Sequence, residues 1–232
     1  MDKNIHEIQG QILKDMLLRE SARFSDLRPK GVSSDQFTFH IKKLVDDGVL
    51  NKRGDGSYEL TLAGKEYANR FDIDSGPVKL EKQGKLGVLV VAYRDTKTGR
   101  QYVMQQRLKH PFYGFHGFIT GKIKIGESVI ETAQRELEEE TGLRGEAQHH
   151  TTYHERIYSK SEELLEDKYF FICLIEVVSG TLTEDIEGGK NSWVLQEKFL
   201  QGDTFYDIED LFALIKGRAS AFSEKSYTVD KY

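Results

Sequence analysis

The sequence predicts an α+β protein of two domains, residues 1–75 and 78–232. Up to about residue 71 the apolar residues recur mainly at helical spacing, whereas the later part contains β-branched and aromatic runs typical of strands. Between the two parts, the segment Ile73–Val78 contains Asp-Ser-Gly-Pro, a composition typical of linkers. The length of 232 residues suits one or two domains with sizeable cores.

The first domain is predicted to consist of helices and a late β-hairpin. From Phe37 onward, apolar residues recur at i, i+4, i+7 and i+8, which indicates one buried helical face. The predicted elements, in order, are a helix over Ile5–Leu17, a short element around Phe24 and Leu27, a helix over Ser33–Gly48, strands at Val49–Lys52 and Tyr58–Thr61 joined by a turn at Arg53–Ser57, and a helix over Leu62–Phe71.

This order of elements resembles a winged helix-turn-helix domain, and the resemblance covers roughly residues 3–73. It implies that the helix over Ser33–Gly48 is a recognition helix for the major groove of double-stranded DNA. The residues that the resemblance assigns to DNA binding are Gln36, Phe39, Lys42 and Lys43 on the outward side of that helix, and Arg53 in the wing.

The charge of the first domain does not favour DNA over other partners. Residues 1–75 contain 12 basic and 13 acidic residues, whereas DNA affinity depends on neutralising phosphates. Asp35, Asp46 and Asp47 also flank the predicted recognition helix. Two interpretations therefore stay open for this domain, DNA binding and a role in dimerisation or protein docking. We expect the protein to form a homodimer.

The second domain is predicted to alternate strands with helices. Its elements are a strand over Leu86–Arg94, a hairpin turn at Thr96–Gly99, a strand over Gln101–Arg107, a segment at Phe112–Ile119, a central strand over Tyr169–Val178, a short element at Trp193–Leu195 and a closing helix over Ile208–Lys216. The acid-rich segment Ser159–Lys168 is expected to form an exposed loop or short helix near the entrance of a site.

One acidic run, Gly121–Leu143, carries six glutamates within 14 residues. Ser128 and Glu131 have the spacing of a capping box, so a helix is predicted to start near Ser128, and Thr141-Gly142 is a stop signal. At about 100° per residue, an apolar stripe runs along one side of this helix. The stripe consists of Val129, Ile130, Ala133 and Leu137.

The same angles divide the acids of the helix into two groups. Glu136, Glu139 and Glu140 fall on or beside the apolar stripe, where burying carboxylates is costly unless a cation neutralises them. Magnesium is bound by such clustered carboxylate oxygens. An outward group is expected to be solvated, with Glu131 and Arg135 paired at i, i+4; it consists of Glu131, Arg135 and Glu138. A solvated acidic helix is the alternative for the whole run, and the angles favour a metal site.

The run also resembles the Nudix box, the signature of Nudix hydrolases. Its nine fixed positions are all matched, by Gly121, Glu127, Arg135, Glu136, Leu137, Glu139, Glu140, Gly142 and Leu143. The resemblance implies a loop–helix–loop that binds Mg²⁺ or Mn²⁺, within an α/β/α sandwich built on a mixed sheet. Many relatives have Pro-Gly-Gly before the box helix, whereas this chain has Ile119-Thr120-Gly121.

The resemblance implies a role for each box residue. Glu136, Glu139 and Glu140 correspond to the metal ligands, together with a backbone carbonyl of Thr120 or Gly121. Glu127 and Arg135 correspond to the pair that holds loop and helix in register. Many family members use a further glutamate outside the box as metal ligand or base. Glu187 is the best candidate for it, with Glu184, Glu166 and Glu163 as alternatives.

The implied activity is a metal-dependent pyrophosphohydrolase that cleaves a diphosphate linkage in a nucleoside diphosphate derivative. The alternative is a transcriptional regulator whose Nudix domain senses a nucleotide-type ligand. For substrate binding, Arg107 is a candidate phosphate contact and Phe118 a candidate stacking partner for a base; a solvated arginine and a core phenylalanine are the alternatives. The identity of the substrate stays open.

Composition adds limits of its own. Hydrophobic residues make up 38% and charged residues 31%, which is ordinary for soluble proteins. No apolar run reaches the roughly 18 residues that span a membrane, and MDKNIHEIQG lacks the apolar core of a secretory signal. The single cysteine, Cys173, is predicted to be a core thiol. We therefore expect a cytoplasmic protein without membrane contacts.

Overall fold

The structure, a computed structural model, describes residues 5–71, 82–217 and 222–232. Contacts divide the chain into two compact units, Met1–Lys82 and Gln83–Tyr232. The predicted linker Ile73–Val78, and with it the predicted boundary at residues 75 and 78, lies outside the described residues.

The first unit contains the helices and the hairpin that the sequence predicts. Its elements are α1 (Glu7–Leu17), α2 (Phe24–Leu27), α3 (Ser34–Asp46), β1 (Leu50–Lys52), β2 (Tyr58–Leu60) and α4 (Leu62–Ala68). The Ser33 side chain accepts a hydrogen bond from the amide of Gln36, so it fixes the start of α3. Ala22 forms an isolated bridge to Tyr58 of β2, a contact that the sequence did not indicate.

The core of this unit forms where the helical stripe of α3 meets α1 and the hairpin. Phe37, Ile41 and Leu44 are buried there, as their spacing predicts. His40 is also buried. Its ring stacks on that of His6, with 4.1 Å between the ring centroids, and that contact covers the imidazole.

The second unit is built on one large mixed sheet. Its elements are β3 (Lys85–Thr96), β4 (Gly99–Arg107), β5 (His116–Gly117), β6 (Ile119–Lys122), α5 (Val129–Thr141), β7 (Leu143–Arg144), β8 (Ala147–Ser159), β9 (Leu164–Glu176), β10 (Ser179–Gly180), β11 (Asp185–Ile186), β12 (Gly189–Leu195), α6 (Gln196–Phe199), α7 (Ile208–Lys216) and β13 (Phe222–Val229).

The strand order of the sheet is β11-β12-β4-β3-β9-β8-β13. Strand β5 pairs with β4 and β6 pairs with β3 beside this path, while β7 and β10 pair with each other in a separate ribbon. β3 runs parallel to β9 and β13 parallel to β8, and the other pairs are antiparallel. The expected mixed sheet is therefore present.

Helices cover both faces of this sheet because the central strands are apolar on both sides. On one face, Leu137 of α5 packs into a cluster with Val88 and Cys173; the free cysteine is buried, as predicted. On the other face, Leu211 of α7 packs into a cluster with Leu89. Alternate residues of β3 thus serve two cores, which anchors α5 and α7 to opposite faces of the same strand.

One predicted element of this unit is wrong. Ser159–Lys168 was expected to form a loop or short helix, but it is the tip and the first residues of a long hairpin between β8 and β9. The strand continues because Glu166 and Lys168 have paired partners across the hairpin, Ile157 and Glu155. The strands β8 and β13 had no counterpart among the predicted elements.

The described residues contain no helix that is both long and apolar enough to cross a membrane.

Candidate functional site

A cavity of about 620 Å³ opens in the second unit, beside the start of β3 and the inner side of α5. The carboxylates that line it are Glu136, Glu139, Glu140, Glu155, Glu166 and Asp207. Basic side chains that line it are Lys85, Arg107, Lys109, Lys122, Lys124, Arg135 and Lys168. The acids from α5 and the surrounding cations are therefore brought together with acids from distant parts of the chain.

Helix α5 begins and ends where the sequence predicts. Ser128 Oγ accepts a hydrogen bond from the amide of Glu131, and the Glu131 carboxylate accepts one from the amide of Ser128 at 2.9 Å, which forms a capping box. Gly142 follows in the left-handed region at φ 70°. Because Glu131 is committed to this cap, the expected i, i+4 pair between Glu131 and Arg135 is not formed, and that prediction is wrong.

Arg135 connects the loop before α5 with the carboxylates of the helix. Its guanidinium donates to both carboxylate oxygens of Glu127 at 2.7 and 2.8 Å, to Glu136 at 2.7 Å and to Glu139 at 2.9 Å. The Arg135 side chain is only 18% exposed, so its predicted outward, solvated position is wrong. The arginine folds back toward the loop because Glu127 lies there, and its hydrogen bonds lower the pKa of Glu127 to about 2.

Glu136 lies against the backbone of Gly121. Its side chain is so close that a Cβ on Gly121 would lie 1.9 Å from the Glu136 Cδ, so only glycine fits at position 121 in this arrangement. Glu136 is 8% exposed, and burial raises its pKa. Arg135 opposes that rise, whereas the charges of Glu139 and Glu140 add to it.

Glu140 is held by two polar residues that the sequence did not single out. Gln105 of β4 donates to the Glu140 carboxylate at 3.1 Å, and the buried Asn191 of β12 donates to the Glu140 carbonyl oxygen at 2.7 Å. Gln105 also donates to Asn191, at 3.2 Å. Strand alternation could have placed each side chain on the α5 face, but it does not indicate that these strands pair with each other.

The chemistry of the donor set fits a hard divalent cation. Glu136, Glu139 and Glu140 supply oxygen ligands, and their mutual repulsion would be relieved by a positive ion. In the geometry observed, Arg135 holds Glu136 and Glu139 while Gln105 holds Glu140. Among the residues that the structure describes, no group of three or more His, Cys, Asp or Glu side chains is arranged around a common point suited to a metal ion.

Glu187, the candidate acid outside the box, is exposed in the turn between β11 and β12. It does not belong to the residues that line the cavity, and neither do Glu184 and Glu163. The alternative Glu166 does line the cavity and is 5% exposed. The role of Glu187 stays a prediction, and Glu166 is the candidate from that group that lies in the cavity.

Glu166 is ionised within a small network of cations. Burial acts to raise its pKa, but Lys85 at 2.6 Å and the Tyr232 hydroxyl at 2.7 Å hold it below the ordinary value. Lys168 adds a further contact at 3.6 Å. This carboxylate is therefore available as an anion at neutral pH.

Two further acids in the cavity were missed by the sequence analysis. Glu155 on β8 and Asp207 just before α7 are 5% and 4% exposed. Burial raises the pKa of both carboxyls, the two groups share a hydrogen bond, and the charge of Lys168 opposes the rise. Because these residues are 52 positions apart in the sequence, no local spacing could have indicated the pair.

The two predicted substrate contacts both line the cavity. Arg107 donates to the carbonyl oxygens of Pro111 at 2.5 Å and His110 at 3.1 Å, so it also holds the loop that follows β4. Phe118 is buried against Phe199, with 4.8 Å between the ring centroids. Phe118 is thus both a core residue and part of the cavity wall.

The predicted DNA-binding residues of the first unit lie on exposed surface. Gln36, Phe39, Lys42 and Lys43 are all exposed on α3, and the Phe39 side chain is 64% exposed. Lys43 pairs with Asp47 at 3.5 Å, and Arg53, in the turn between β1 and β2, pairs with Glu59 at 3.4 Å. Each cation is thus partly neutralised by a neighbouring acid.

Comparisons with known proteins agree on the second unit. The family model for the NUDIX domain matches residues 84–217. A MutT protein from Bacillus halodurans has 19% identity and a TM-score of 0.53, with 64% of this chain and 93% of that chain covered. The NUDIX domain of Shewanella oneidensis NrtR, solved in complex with ADP ribose, has 20% identity and a TM-score of 0.51, with 68% and 97% covered. No curated protein matches the chain.

Proposed function

The chain belongs to the Nudix family, whose domain model matches more than half of its length, and is a Nudix hydrolase acting on phosphoric anhydrides. From that premise we propose that it is a metal-dependent pyrophosphohydrolase for a nucleoside diphosphate derivative. The observation that carries the proposal is the group Glu136, Glu139 and Glu140, which line a cavity in which Arg135 and Gly121 position them. An eroded site of a purely sensory domain would not need this complete set.

The acidic and the basic side chains of the cavity have separate roles in the proposed mechanism. Glu136, Glu139 and Glu140 would hold Mg²⁺ or Mn²⁺, and the carbonyl oxygen of Gly121 is the further ligand that the family resemblance implies. A bound divalent cation neutralises phosphate oxygens and lowers the pKa of water. Lys85, Lys122 and other basic residues of the cavity attract and orient the anionic diphosphate.

A carboxylate of this chain must accept the proton of the attacking water. Glu166 supports this role because it is ionised, lines the cavity and is fixed by Lys85 and Tyr232. Glu187 remains the candidate that the family resemblance suggests. Hydrogen bonds from Lys85 and Tyr232 fix the orientation of the Glu166 carboxylate and keep it deprotonated, so it can be held ready to accept a proton.

The class of substrate is supported by the fold likeness to the NrtR domain that was solved with ADP ribose, itself a nucleoside diphosphate derivative. The cavity volume of about 620 Å³ lies within the range of small-molecule sites. We therefore include ADP ribose among the first compounds to be tested.

We also propose that the first unit is a winged helix that binds double-stranded DNA through α3. Gln36, Lys42 and Lys43 project from the exposed face of that helix, as a recognition helix requires. The 64% exposure of the Phe39 side chain supports the alternative, a homodimer or docking contact, because an isolated exposed phenylalanine also suits an apolar interface. A ligand-sensing regulator would combine DNA binding with the second unit.

Glu140→Gln tests the proposed activity. Its amide retains the shape that Gln105 contacts but loses the anionic oxygen, so Mg²⁺-dependent turnover should fall by at least about 100-fold. Turnover is measured as the release of nucleoside monophosphate, resolved by chromatography, after nucleoside diphosphate sugars, dinucleotides, ADP ribose and nucleoside triphosphates have been screened with wild type. Glu138→Gln is the matched control, since Glu138 lies on the same helix but pairs with Arg144 at the surface. Full turnover in Glu140→Gln would contradict the assigned site.

A further inference from the structure

The cavity contains a pair of buried acids for which phosphate chemistry provides no role. Glu155 and Asp207 both line the cavity, and both are at least 95% buried. They come from β8 and from the residue before α7, not from α5. Burying two carboxyls costs free energy, so their position in a ligand cavity requires an explanation.

A purely structural role would be expected for Asp207 if its carboxylate capped α7. Its backbone carbonyl accepts the first hydrogen bond of the helix, from the amide of Leu211 at 2.9 Å. Its side chain makes no capping hydrogen bond, although aspartate at this position commonly does. The carboxyl group instead turns to Glu155 in the cavity wall, so helix formation does not account for its placement.

The two carboxyls form an acceptor-rich pair. Because two ionised carboxylates would repel each other, the hydrogen bond between them requires one shared proton. One carboxyl oxygen donates within the pair, and the remaining oxygens can accept hydrogen bonds from a ligand. Lys168 lies directly opposite Glu155, on β9, and its positive charge stabilises the one negative charge that the pair retains.

The apolar part of the cavity wall suits a flat ring. Apolar side chains that line the same cavity as the pair include Leu89, Phe118, Ile157, Phe170, Phe205 and Leu211. A sugar hydroxyl would gain little from such a lining, whereas an aromatic heterocycle buries its faces against apolar groups and presents polar atoms only at its edge. The chemistry therefore points to a heterocycle with N–H donors on one edge.

The distance across the sheet also fits a nucleotide. Gly121 lies on β6, and Glu155 lies on β8, with β3 and β9 between these strands. Three strand spacings, about 14 Å, and an offset of three residues along β8 from the position level with Gly121, about 10 Å, place the backbones of Gly121 and Glu155 about 17 Å apart. One molecule can therefore present a diphosphate to the Glu136 end and a base to Glu155 and Asp207.

We propose that Glu155 and Asp207 recognise the exocyclic amino group of a nucleobase and so select the substrate by its base. The inference rests on the proposed function, because that function places the diphosphate at the α5 end. The pair accepts hydrogen bonds from the amino group, and a base without this group leaves a buried acceptor unsatisfied. Such a loss discriminates strongly between otherwise identical ligands.

The test is equilibrium binding of α,β-methylene diphosphates, which are not hydrolysed, to the full-length protein with Mg²⁺ by calorimetry. Three ligand pairs differ in one amino group each: adenosine against purine riboside, guanosine against inosine, and cytidine against pyrimidin-2-one riboside. In at least one pair, the amino-bearing ligand should bind wild type at least about 10-fold more tightly. A ratio near one in all three pairs overturns the inference, whatever the variants do.

Asp207→Asn removes the anionic acceptor with little change of shape, and the ratio should fall at least about fivefold toward one. Glu209→Gln, an exposed acid two residues further along α7, should keep the ratio within about twofold. Equal weakening of both ligands by Asp207→Asn would identify a structural role and overturn the inference. If this variant does not fold, Glu155→Leu/Asp207→Leu replaces it, since apolar replacement of a buried pair is often tolerated, and the same fall is expected.

Hydrolysis is measured separately on the natural diphosphates. A protein that selects amino-bearing ligands without hydrolysing them would contradict the proposed function and leave this inference standing. A protein that hydrolyses nucleoside diphosphate derivatives, but whose base selectivity is unchanged by Asp207→Asn, would support the proposed function and overturn this inference.

Discussion

At the residue scale, Gly121 determines where the Glu136 carboxylate can lie. Gly121→Ala would place a Cβ 1.9 Å from Cδ and 2.3 Å from Oε1 of Glu136. The carboxylate is the mobile end of its side chain, so it should move while the fold persists. Displacing a site group by about 1 Å can cost on the order of 100-fold in rate, and we expect a fall of about that size in kcat/KM.

The measurement pairs the kinetics of nucleoside monophosphate release with a thermal melt. Gly54→Ala is the control, because a Cβ at Gly54 meets nothing within 4 Å. The control should leave both quantities close to wild type. Unchanged kcat/KM in a folded Gly121→Ala variant would show that the position of Glu136 is not set by this contact.

Residues of the site differ in how far the sequence could predict them. Gly121, Glu136 and Glu140 belong to one short run whose spacing and helical angles bring them together, so local pattern was sufficient. Glu155 and Asp207 meet only through the pairing of β8 and the docking of α7. Helical angles alone misplaced Arg135, because they ignore the preceding loop, where Glu127 draws the guanidinium back. The box resemblance, which pairs Arg135 with Glu127, agrees with this contact.

At the element scale, a chain of hydroxyl hydrogen bonds fastens β13 to the sheet and to α7. The buried Tyr153 of β8 and Tyr227 of β13 have their hydroxyls 2.8 Å apart, and the Tyr227 hydroxyl donates to Asp210 of α7 at 2.6 Å. Lys225 of β13 also pairs with Asp210. The Tyr227 hydroxyl therefore links three elements, β8, β13 and α7.

Tyr227→Phe should destabilise the second unit by about 1–2 kcal/mol, because it leaves the buried Tyr153 hydroxyl and Asp210 without this partner. The free energy of unfolding is measured by urea denaturation monitored at the sheet signal of circular dichroism. Tyr206→Phe removes a hydroxyl from an exposed ring and should change it by less than about 0.5 kcal/mol. Equal effects of both substitutions would contradict the anchoring role of Tyr227.

Elements were predictable where capping residues mark their ends in the sequence. Helix α5 has a capping box at Ser128 and a left-handed glycine at Gly142, and both bounds were predicted. Strand β8 escaped prediction because it contains His154 and Glu155, polar residues that are buried only through their partners. His154, for example, contacts Asp167 of β9 and Glu224 of β13, which no local pattern reveals.

At the scale of the whole molecule, separate cores for the two units could be predicted because the periodicity of apolar residues changes from one unit to the other. Phe37 and Leu44 follow helical spacing in the first, whereas Val88 and Leu89 alternate between the two faces of a strand in the second. Pairing between distant strands could not be predicted, since β3 and β9 are joined by residues far apart in the chain. The partner of the first unit could not be predicted either, because the nearly equal numbers of acidic and basic residues in residues 1–75 favour neither DNA nor a protein.

Charge reversal on α3 tests whether that partner is DNA. If the exposed face of α3 contacts phosphates, the full-length protein should shift a duplex from its own promoter region at moderate salt, and Lys43→Glu should weaken binding by at least about 10-fold, with a shallower dependence on salt. Fluorescence anisotropy over a salt series measures both quantities. Lys65→Glu, the same reversal at an exposed position of α4, should lower affinity by less than about threefold. Equal losses in the two variants would indicate attraction by net charge alone, and no binding even at low salt would leave Phe39 as the centre of a dimer or docking surface.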